Sequence, residues 1–277
     1  TTTMANGLYS IQKSDLFGHT VYKRDLGGHE IGYTYDAGGR LATSWLGAIT
    51  TSYTWLNSGL VGKLTVASSG AGTVNTNWTR DVATYTYDTV GNRLTEQFQR
   101  DQGVYTPESY YWDYYYSYYV PESYYETSTL IKNASATYDA LGRLKTWNEA
   151  GTATSPAASI TNEFDAGGNV RRTLSTYRSL DANGAASGTA TTRDYWFRYD
   201  SMNRVVVNQG TLSGGVITRG MTIYGIAGGQ DIAYNAAGQR TSVAITNAYP
   251  NGYGAYSLSE SREIYSYDAA GRLTQTN

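Results

Sequence analysis

Polar and aromatic positions alternate in short runs along this chain, and a small polar turn follows each run. In residues 33–35 two tyrosines are separated by one threonine, so both rings lie on the same face of a β-strand. Residues 36–39, with Asp first and Gly fourth, have the composition of a type I turn. The Asp side chain accepts hydrogen bonds from nearby amides, and Gly adopts the left-handed conformation. Arg40 and Leu41 then begin a return strand, so the pattern predicts the tip of a β-hairpin.

The same turn recurs along nearly the whole chain, with Asp or Asn at its first position and Gly or Asn at its fourth. Asn replaces Asp as a side-chain acceptor and replaces Gly in the left-handed region, so these exchanges preserve a turn and would not preserve a catalytic group. Weaker copies begin at Asp15 and Asp25. The predicted turn residues are Asp36 and Gly39, Asp88 and Gly91, Asp139 and Gly142, Asp165 and Gly168, Asp200 and Asn203, Asn235 and Gly238, and Asp268 and Gly271.

These copies of Tyr-Asp-x-x-Gly-Arg-Leu, or close variants of it, resemble the signature of the YD-repeat or Rhs-repeat family. Members of that family include bacterial polymorphic toxins, shell subunits of insecticidal toxin complexes and cell-surface proteins. The resemblance implies β-hairpins that wind into a spiralling or solenoid-like sheet, as part of a shell or filament. It also implies a protein that is secreted or held at the bacterial cell surface.

The composition favours the same all-β class of tandem antiparallel hairpins. The chain has 28 Tyr and 31 Gly among 277 residues, and only 16% of its residues are charged. Tyr favours strands and Gly favours turns. We expect a single repeat array over residues 1–277, with a tyrosine-rich insertion at about 101–133. Because the chain begins at Thr1 and stops just after a hairpin tip at Leu273, we expect it to be a segment of a longer protein.

Two stretches between the clear copies are weaker predictions of hairpin tips. Residues 53–60 have the pattern of a decayed copy, with Leu56 where Asp is expected. Residues 68–72, Ser-Ser-Gly-Ala-Gly, predict another tip between two strands.

The tyrosine-rich segment from Tyr105 to Tyr125 allows two interpretations. It contains Pro-Glu-Ser-Tyr-Tyr twice, beginning at Pro107 and at Pro121. One interpretation is an extended hairpin covered on both faces, in which the prolines keep its edges from further pairing. The other is an aromatic platform for sugars or a partner chain, formed by Tyr110, Trp112 and Tyr114.

The sequence offers few candidates for catalysis or for metal binding. His19 and His29 directly follow turn glycines, where better copies have Arg, so they are interpreted as turn substitutions and not as a metal or acid–base pair. Glu108, Glu122 and Glu126 are acids beside aromatic residues, as in glycosidase subsites, but no second carboxylate is fixed by the spacing. No phosphate loop, nucleophile elbow or dinucleotide motif is present. We predict no catalytic residue, no metal and no cofactor.

Charge and hydropathy limit the classes of partner. The formal net charge is −2, which provides no basic surface for nucleic acid. No apolar run approaches the roughly 20 residues of a membrane helix, so no membrane span is predicted. The chain has no cysteine, so disulfides and thiolate chemistry are excluded.

The sequence therefore predicts a non-enzymatic structural β-scaffold that encloses or displays a toxin or other cargo. Its expected partners are further repeats of the same or a neighbouring chain, a toxin cargo, or a glycan. Two alternatives stay open: a cell-surface adhesin that binds glycans through the tyrosine-rich segment, and a self-assembling extracellular filament.

Overall fold

The computed structural model describes residues 2–3, 9–112, 117–152, 155–181, 186–220, 222–223, 228–250 and 256–277. Within these residues the regular elements are all β-strands, and no helix is present. The predicted all-β fold of tandem antiparallel hairpins is therefore confirmed. None of the described elements is a helix that could cross a membrane. The chain divides into two compact units, residues 1–136 with 149–156, and residues 137–148 with 157–277.

The first unit is a meander in which each strand pairs with the next. Strands β2 to β9 pair antiparallel in chain order, β1 pairs with β2, and β9 also pairs with β12. Strands β10 and β11 form a separate two-stranded sheet. The strands are β1 (Thr2–Thr3), β2 (Tyr9–Ser14), β3 (Thr20–Arg24), β4 (Glu30–Tyr35), β5 (Leu41–Leu46), β6 (Ile49–Trp55), β7 (Val61–Ser68), β8 (Trp78–Tyr87), β9 (Arg93–Thr106), β10 (Ser109–Trp112), β11 (Ser117–Val120) and β12 (Ser123–Tyr138).

The second unit is also a mainly antiparallel meander. Strands β14 to β17 pair in order, and the meander continues from β17 through β20, β21 and β22 to β23. Strand β18 folds back on β17, and β19 pairs with β21 in parallel. The strands are β13 (Leu144–Glu149), β14 (Ala158–Phe164), β15 (Val170–Leu180), β16 (Ala186–Tyr199), β17 (Val205–Ser213), β18 (Val216–Thr218), β19 (Thr222–Ile223), β20 (Gln230–Tyr234), β21 (Arg240–Pro250), β22 (Tyr256–Tyr267) and β23 (Leu273–Thr276).

The hairpin tips alternate between the two ends of the strands, as an antiparallel meander requires. The turns at Asp15 and Asp36 lie at one end of their strands, and the turn at Asp25 lies at the opposite end. The weak copy at Leu56 joins β6 to β7. Residues 69–77 join β7 to β8 and include the predicted tip except Ser68, which ends β7. Within each unit, all clear copies of the motif therefore lie at the same end of the strands.

Within the described residues few side chains are fully buried, and cross-strand contacts are the unit of stabilisation in such a sheet. Two Trp side chains cover glycines on the neighbouring strand: Trp45 lies over Gly32, and Trp78 lies over Gly103. A Cβ atom on Gly103 would lie 2.2 Å from the indole nitrogen of Trp78, so glycine is required there. The buried apolar residues of the described part are Trp78, Ala83, Ala134, Val207, Ile217, Ala244 and Ala248.

Candidate functional site: the turn ladder and the tyrosine-rich hairpin

Each repeated turn is a five-residue unit, counted from its Asp to the residue after its Gly. In the unit that begins at Asp36, the Gly39 amide donates to the Asp36 carbonyl (2.9 Å), and the Asp36 amide donates to the Arg40 carbonyl (2.8 Å). Gly39 has φ +76°. One carboxylate oxygen of Asp36 accepts from the amides of Gly38 and Arg40, both at 2.9 Å. The side chain and backbone thus hold the turn together.

The same pair of backbone hydrogen bonds recurs at every copy. The fourth residue has a positive φ in each described copy, including Asn203 at +59° in the copy that lacks Gly. These turns begin at Asp15, Asp25, Asp36, Leu56, Asp88, Asp139, Asp165, Asp200, Asn235 and Asp268.

The fifth residue belongs to the turn, although the sequence pattern placed it in the return strand. Arg40 Nε donates to the second carboxylate oxygen of Asp36 at 2.8 Å. Asn92 replaces Arg in the turn of Asp88 and donates through Nδ2 at 2.8 Å. In the copy that begins with Asn235 the direction is reversed, because Asn235 Nδ2 donates to the side chain of Gln239.

The hydrogen-bond donors within the turn lower the pKa of its Asp side chain. At Asp139 the Arg143 side chain, followed by the Arg143 backbone amide, lowers the pKa below the ordinary value of 3.8. Arg204 lowers the pKa of Asp200 in the same way. These carboxylates are therefore ionised acceptors committed to their own turns, and a general acid near neutral pH would need the opposite shift.

The copy at Leu56 forms the turn without a carboxylate. Its Gly59 amide donates to the Leu56 carbonyl at 3.0 Å, and Gly59 has φ +83°. The positive φ of the fourth residue and the two backbone bonds are therefore sufficient for this backbone shape, and the Asp side chain reinforces it.

The two histidines occupy fifth positions of different turns. His19 Nδ1 lies 3.0 Å from the Asp15 carboxylate, and His29 Nδ1 lies 2.9 Å from that of Asp25. The two turns are at opposite ends of β3. The structure therefore does not bring the histidines together, and among the described residues no group of three or more His, Asp or Glu side chains is placed to hold a metal ion.

Consecutive turns at the same end of the sheet are joined through the residue directly before the turn. The Tyr35 hydroxyl donates to the Thr20 carbonyl at 2.8 Å, and Thr20 is the sixth residue counted from Asp15. The indole of Trp55 replaces a tyrosine in this role and donates to Leu41 at 2.8 Å. The equivalent bonds of the other turns are Tyr87 to Val61, Tyr199 to Val170, Tyr234 to Val205 and Tyr267 to Arg240.

The fifth residue of the preceding turn forms a second link to this aromatic residue. The guanidinium carbon of Arg204 lies 4.5 Å from the centre of the Tyr234 ring, and that of Arg143 lies 4.0 Å from Phe164. At these two positions a cation therefore lies against the aromatic ring.

We call this row of linked turns the turn ladder. In the first unit it comprises the turns that begin at Asp15, Asp36, Leu56 and Asp88. In the second unit it comprises those that begin at Asp139, Asp165, Asp200, Asn235 and Asp268. A cation–π contact contributes about 0.5–1 kcal/mol when exposed, and a hydrogen bond contributes about 0.5–1.5 kcal/mol, so the ladder stabilises the array by repetition.

In one link between consecutive turns the residue before the Asp has no hydroxyl, and a neighbouring side chain supplies the hydrogen-bond donor. Phe164 precedes the turn of Asp165 and has no donor. The Asn162 side chain, two residues earlier on β14, donates to the Leu144 carbonyl at 3.1 Å. Leu144 is the sixth residue of the preceding turn, so the same carbonyl is satisfied by a different side chain.

The tyrosine-rich segment extends the hairpin of β9 and β12. Thr106 pairs with Ser123, and the backbone pairing is then interrupted at Pro107 and Pro121. Beyond this gap β10 pairs with β11. Pro107 and Pro121 lie within the hairpin, among the residues between its two paired parts. That they keep the edges of the hairpin from further pairing stays a prediction.

Aromatic rings on this hairpin are exposed. The hairpin was predicted to be covered on both faces, and its described side chains show no such cover. Tyr110 is 64% exposed, Tyr118 is 59% exposed and Tyr119 is 48% exposed. The rings of Tyr110 and Tyr119 are 5.0 Å apart and tilted by 43°. Trp112 pairs with Ser117 through the backbone, whereas its side chain and the whole of Tyr114 lie outside the described residues.

The three acids of this region each accept a hydrogen bond from a different tyrosine. Tyr119 donates to Glu108 at 2.9 Å, Tyr105 to Glu122 at 3.1 Å and Tyr124 to Glu126 at 2.8 Å. The carboxylates of Glu122 and Glu108 raise the pKa of Tyr105 and Tyr119, respectively. The hairpin thus presents aromatic rings beside anionic acceptors.

Comparisons with known proteins found similarity only among solved structures. No family model matches the chain, and no curated protein matches it. Its fold is similar to a chain of the Photorhabdus luminescens Tc holotoxin pore, with 14% identity, a TM-score of 0.34, and coverage of 99% of this chain and 13% of that chain. It is also similar to a chain of TcdB2-TccC3-TEV, with 12% identity, a TM-score of 0.27, and coverage of 98% and 16%.

A third similar structure is TcdB2-TccC3 without its hypervariable C-terminal region. The identity is 13%, the TM-score is 0.27, and the match covers 96% of this chain and 15% of that chain. This chain thus spans about one sixth or less of the length of each of these solved chains. Identities and TM-scores this low do not assign it a function.

Proposed function

We propose that this chain is a non-enzymatic structural β-scaffold, a section of a wall that encloses or displays a toxin or other cargo of a secreted or surface protein. The observation that carries the proposal is the turn ladder. Its carboxylates accept from their own turns, and its aromatic and fifth residues join one turn to the next. The residues that recur along the chain are thus used in holding hairpins in register. The resemblance of the repeated motif to YD repeats supports the same role.

A substrate panel tests the non-enzymatic part of this proposal. We expect no turnover when the purified chain is incubated with fluorogenic glycosides, esters and peptides. The variants Glu108→Gln and Glu122→Gln serve as probes, because each of these acids accepts a hydrogen bond from a tyrosine of this region. Turnover that is lost in either variant and retained in a control, Asp231→Asn, would overturn the proposal.

Electron microscopy of the purified chain tests the scaffold part. Sheet-like or curved particles are expected for a wall section. Long fibres would favour the alternative of a self-assembling extracellular filament. Particles that show no extended sheet would contradict both forms of the scaffold.

A glycan-binding adhesin is the second candidate, and the exposure of the aromatic rings on the tyrosine-rich hairpin favours it. Exposed rings offer the flat apolar surface on which sugars stack. A glycan array probed with the parent chain and with a triple variant, Tyr110, Trp112 and Tyr114 each to Ser, tests it. A matched control replaces three exposed tyrosines elsewhere, Tyr9, Tyr177 and Tyr249, by Ser. The adhesin requires binding that is lost only in the first variant, and an array without signal for the parent chain contradicts it.

A further inference from the structure

The tyrosine-rich hairpin holds two tyrosine rings against each other. Tyr110 on β10 is directly opposite Tyr119 on β11, so the two side chains lie on the same face of the hairpin. Their ring centres are 5.0 Å apart, and the ring planes are tilted by 43°. Among the described residues this is the only contact between two tyrosine rings, in a chain that has 28 tyrosines. The register of the hairpin thus selects one pair.

Direct pairing across two strands does not by itself bring tyrosine rings together. Tyr105 on β9 and Tyr124 on β12 are also opposite each other. Their hydroxyls donate to different glutamates, and no ring contact joins these two described side chains. The close approach of Tyr110 and Tyr119 is therefore a particular feature of their position, and a high tyrosine content alone does not produce it.

The pair has a proton acceptor and is open to an external oxidant. The Tyr119 hydroxyl donates to a carboxylate oxygen of Glu108 at 2.9 Å. Removal of an electron makes a phenol a strong acid, so a carboxylate at this distance is placed to take the proton as the electron leaves. Both rings are exposed. A one-electron oxidant can therefore reach both tyrosines of the pair.

We propose that Tyr110 and Tyr119 are a modification site, at which a peroxide-dependent haem oxidant joins the two rings as dityrosine. Each phenol loses one electron and its hydroxyl proton, and the proton of Tyr119 passes to Glu108. The two phenoxyl radicals form one carbon–carbon bond between ring positions next to the hydroxyls. The hydrogens on those two carbons then move to the oxygens, which restores both phenols. Hydrogen peroxide takes up the two electrons and two protons and becomes two molecules of water.

The cross-link closes β10 and β11 into a covalent loop. A two-stranded hairpin is marginally stable by itself, and the pairing of this one with β9 and β12 is interrupted at Pro107 and Pro121. The chain has no cysteine, so a disulfide cannot fasten the two strands. Dityrosine supplies that covalent bond. The inference concerns this hairpin alone and is independent of the proposed scaffold function.

Oxidation of the full chain by a haem peroxidase and hydrogen peroxide tests the site. After unfolding, a protease that cuts before Asp separates Tyr110 from Tyr119, because Asp113 lies between them. Mass spectrometry then detects residues 101–112 joined to residues 113–138 with the loss of two hydrogen atoms. An equal mixture of chains with ordinary and with heavy nitrogen shows whether the joined fragments come from one chain. We expect joined fragments of a single isotope.

Tyr110→Phe or Tyr119→Phe should abolish the joined fragment, because phenylalanine keeps the ring and lacks the hydroxyl. The matched control Tyr125→Phe replaces an exposed tyrosine that is opposite Val104, and it should keep the parent's yield. Glu108→Gln should slow the coupling, since an amide is a poor proton acceptor, and an unchanged rate would overturn the role of Glu108. The proposal is overturned if the parent gives no joined fragment, if the joined fragments are chiefly of mixed isotope, or if either Phe variant of the pair keeps the yield.

Discussion

At the scale of single residues, the two glycines of the Asp36 turn differ in the backbone conformation that they adopt. Gly39 has φ +76°, and a Cβ atom there would lie 3.3 Å from the His19 ring. We expect Gly39→Val to lower the free energy of unfolding by about 1–3 kcal/mol, because a β-branched residue is strained at positive φ. Urea unfolding measures this change.

The matched control is Gly38→Val in the same turn. Gly38 is not in the left-handed region, and the equivalent residue of the Asp88 turn is already Val90. We expect this control to change the free energy of unfolding by no more than about 0.5 kcal/mol. Equal effects of the two substitutions would show that the conformation of the fourth residue does not stabilise the turn.

The turn carboxylates predict a loss of stability in acid. The pKa values of Asp139 and Asp200 are lowered in the folded state by their Arg partners, so the unfolded chain binds protons more readily. The stabilisation is present above the unfolded value near 3.8 and is lost as the pH falls from there through the lower folded values. Melting temperatures measured from pH 6 to pH 2.5 should therefore decrease mainly below about pH 4.

Asp200→Asn separates this effect from a general change in charge. Asn235 forms the same turn without a carboxylate, so the Asp200→Asn variant should preserve the hairpin. The melting temperature of this variant should depend less steeply on pH below 4 than that of the parent chain. Glu108→Gln makes the same change in charge outside the turns. If both variants have the parent's pH dependence, the Asp–Arg pairs do not contribute to acid stability.

At the scale of elements, the link at Phe164 shows that a hydrogen-bond donor missing from one side chain of a strand can be supplied by another. Asn162→Ala removes the donor to the Leu144 carbonyl and also the acceptor of a bond from Thr173. We expect it to lower the free energy of unfolding by about 1–3 kcal/mol, as for loss of hydrogen bonds that leaves polar groups unpaired. Adding Phe164→Tyr should recover about 0.5–1.5 kcal/mol, because tyrosine supplies the hydroxyl found in other rungs.

The single variant Phe164→Tyr completes this cycle. With Asn162 present, the Leu144 carbonyl already accepts a hydrogen bond, so tyrosine should add little. A coupling of about 0.5 kcal/mol or more between the two positions is expected for groups that share one acceptor. Strict additivity in thermal or urea unfolding would show that the two side chains do not serve the same carbonyl.

Local patterns in the sequence predicted the hairpin tips, because a turn of five residues depends on its own side chains. They did not predict the links between turns, which join residues such as Tyr234 and Val205 that are far apart in sequence. The role of Asn162 depends on the absence of a hydroxyl at Phe164 and on a carbonyl 18 residues away. For the same reason the cover of Gly103 by Trp78 becomes visible only once the register of β8 and β9 is known.

The tyrosine-rich hairpin shows the limit of composition as a guide. A tyrosine-rich composition predicts strands, and β10 and β11 do form. Whether a ring is covered depends on what packs against it, which a strand's own sequence does not specify. Tyr110 and Tyr118 are exposed for this reason, and the positions of Pro107 and Pro121 follow from the register of the hairpin.

At the scale of the whole molecule, a ladder made of links between neighbours predicts that stability is local. In such arrays each repeat depends mainly on the repeats beside it. Gly271 and Gly168 lie in two turns of the second unit, with φ +79° and +89°. Substitution of either by Val strains one turn by about the same amount, so the pair tests how far the disturbance spreads.

Hydrogen exchange measured on Gly271→Val should show faster exchange of amides in β22 and β23, by about 5- to 150-fold for a local loss of about 1–3 kcal/mol. Amides of β14 and β15 should keep their parent rates. Gly168→Val should give the reverse pattern, because its turn joins β14 to β15. Faster exchange throughout the unit in both variants would mean that the unit unfolds as one cooperative body. In that case the links of the turn ladder would not determine the stability of each hairpin separately.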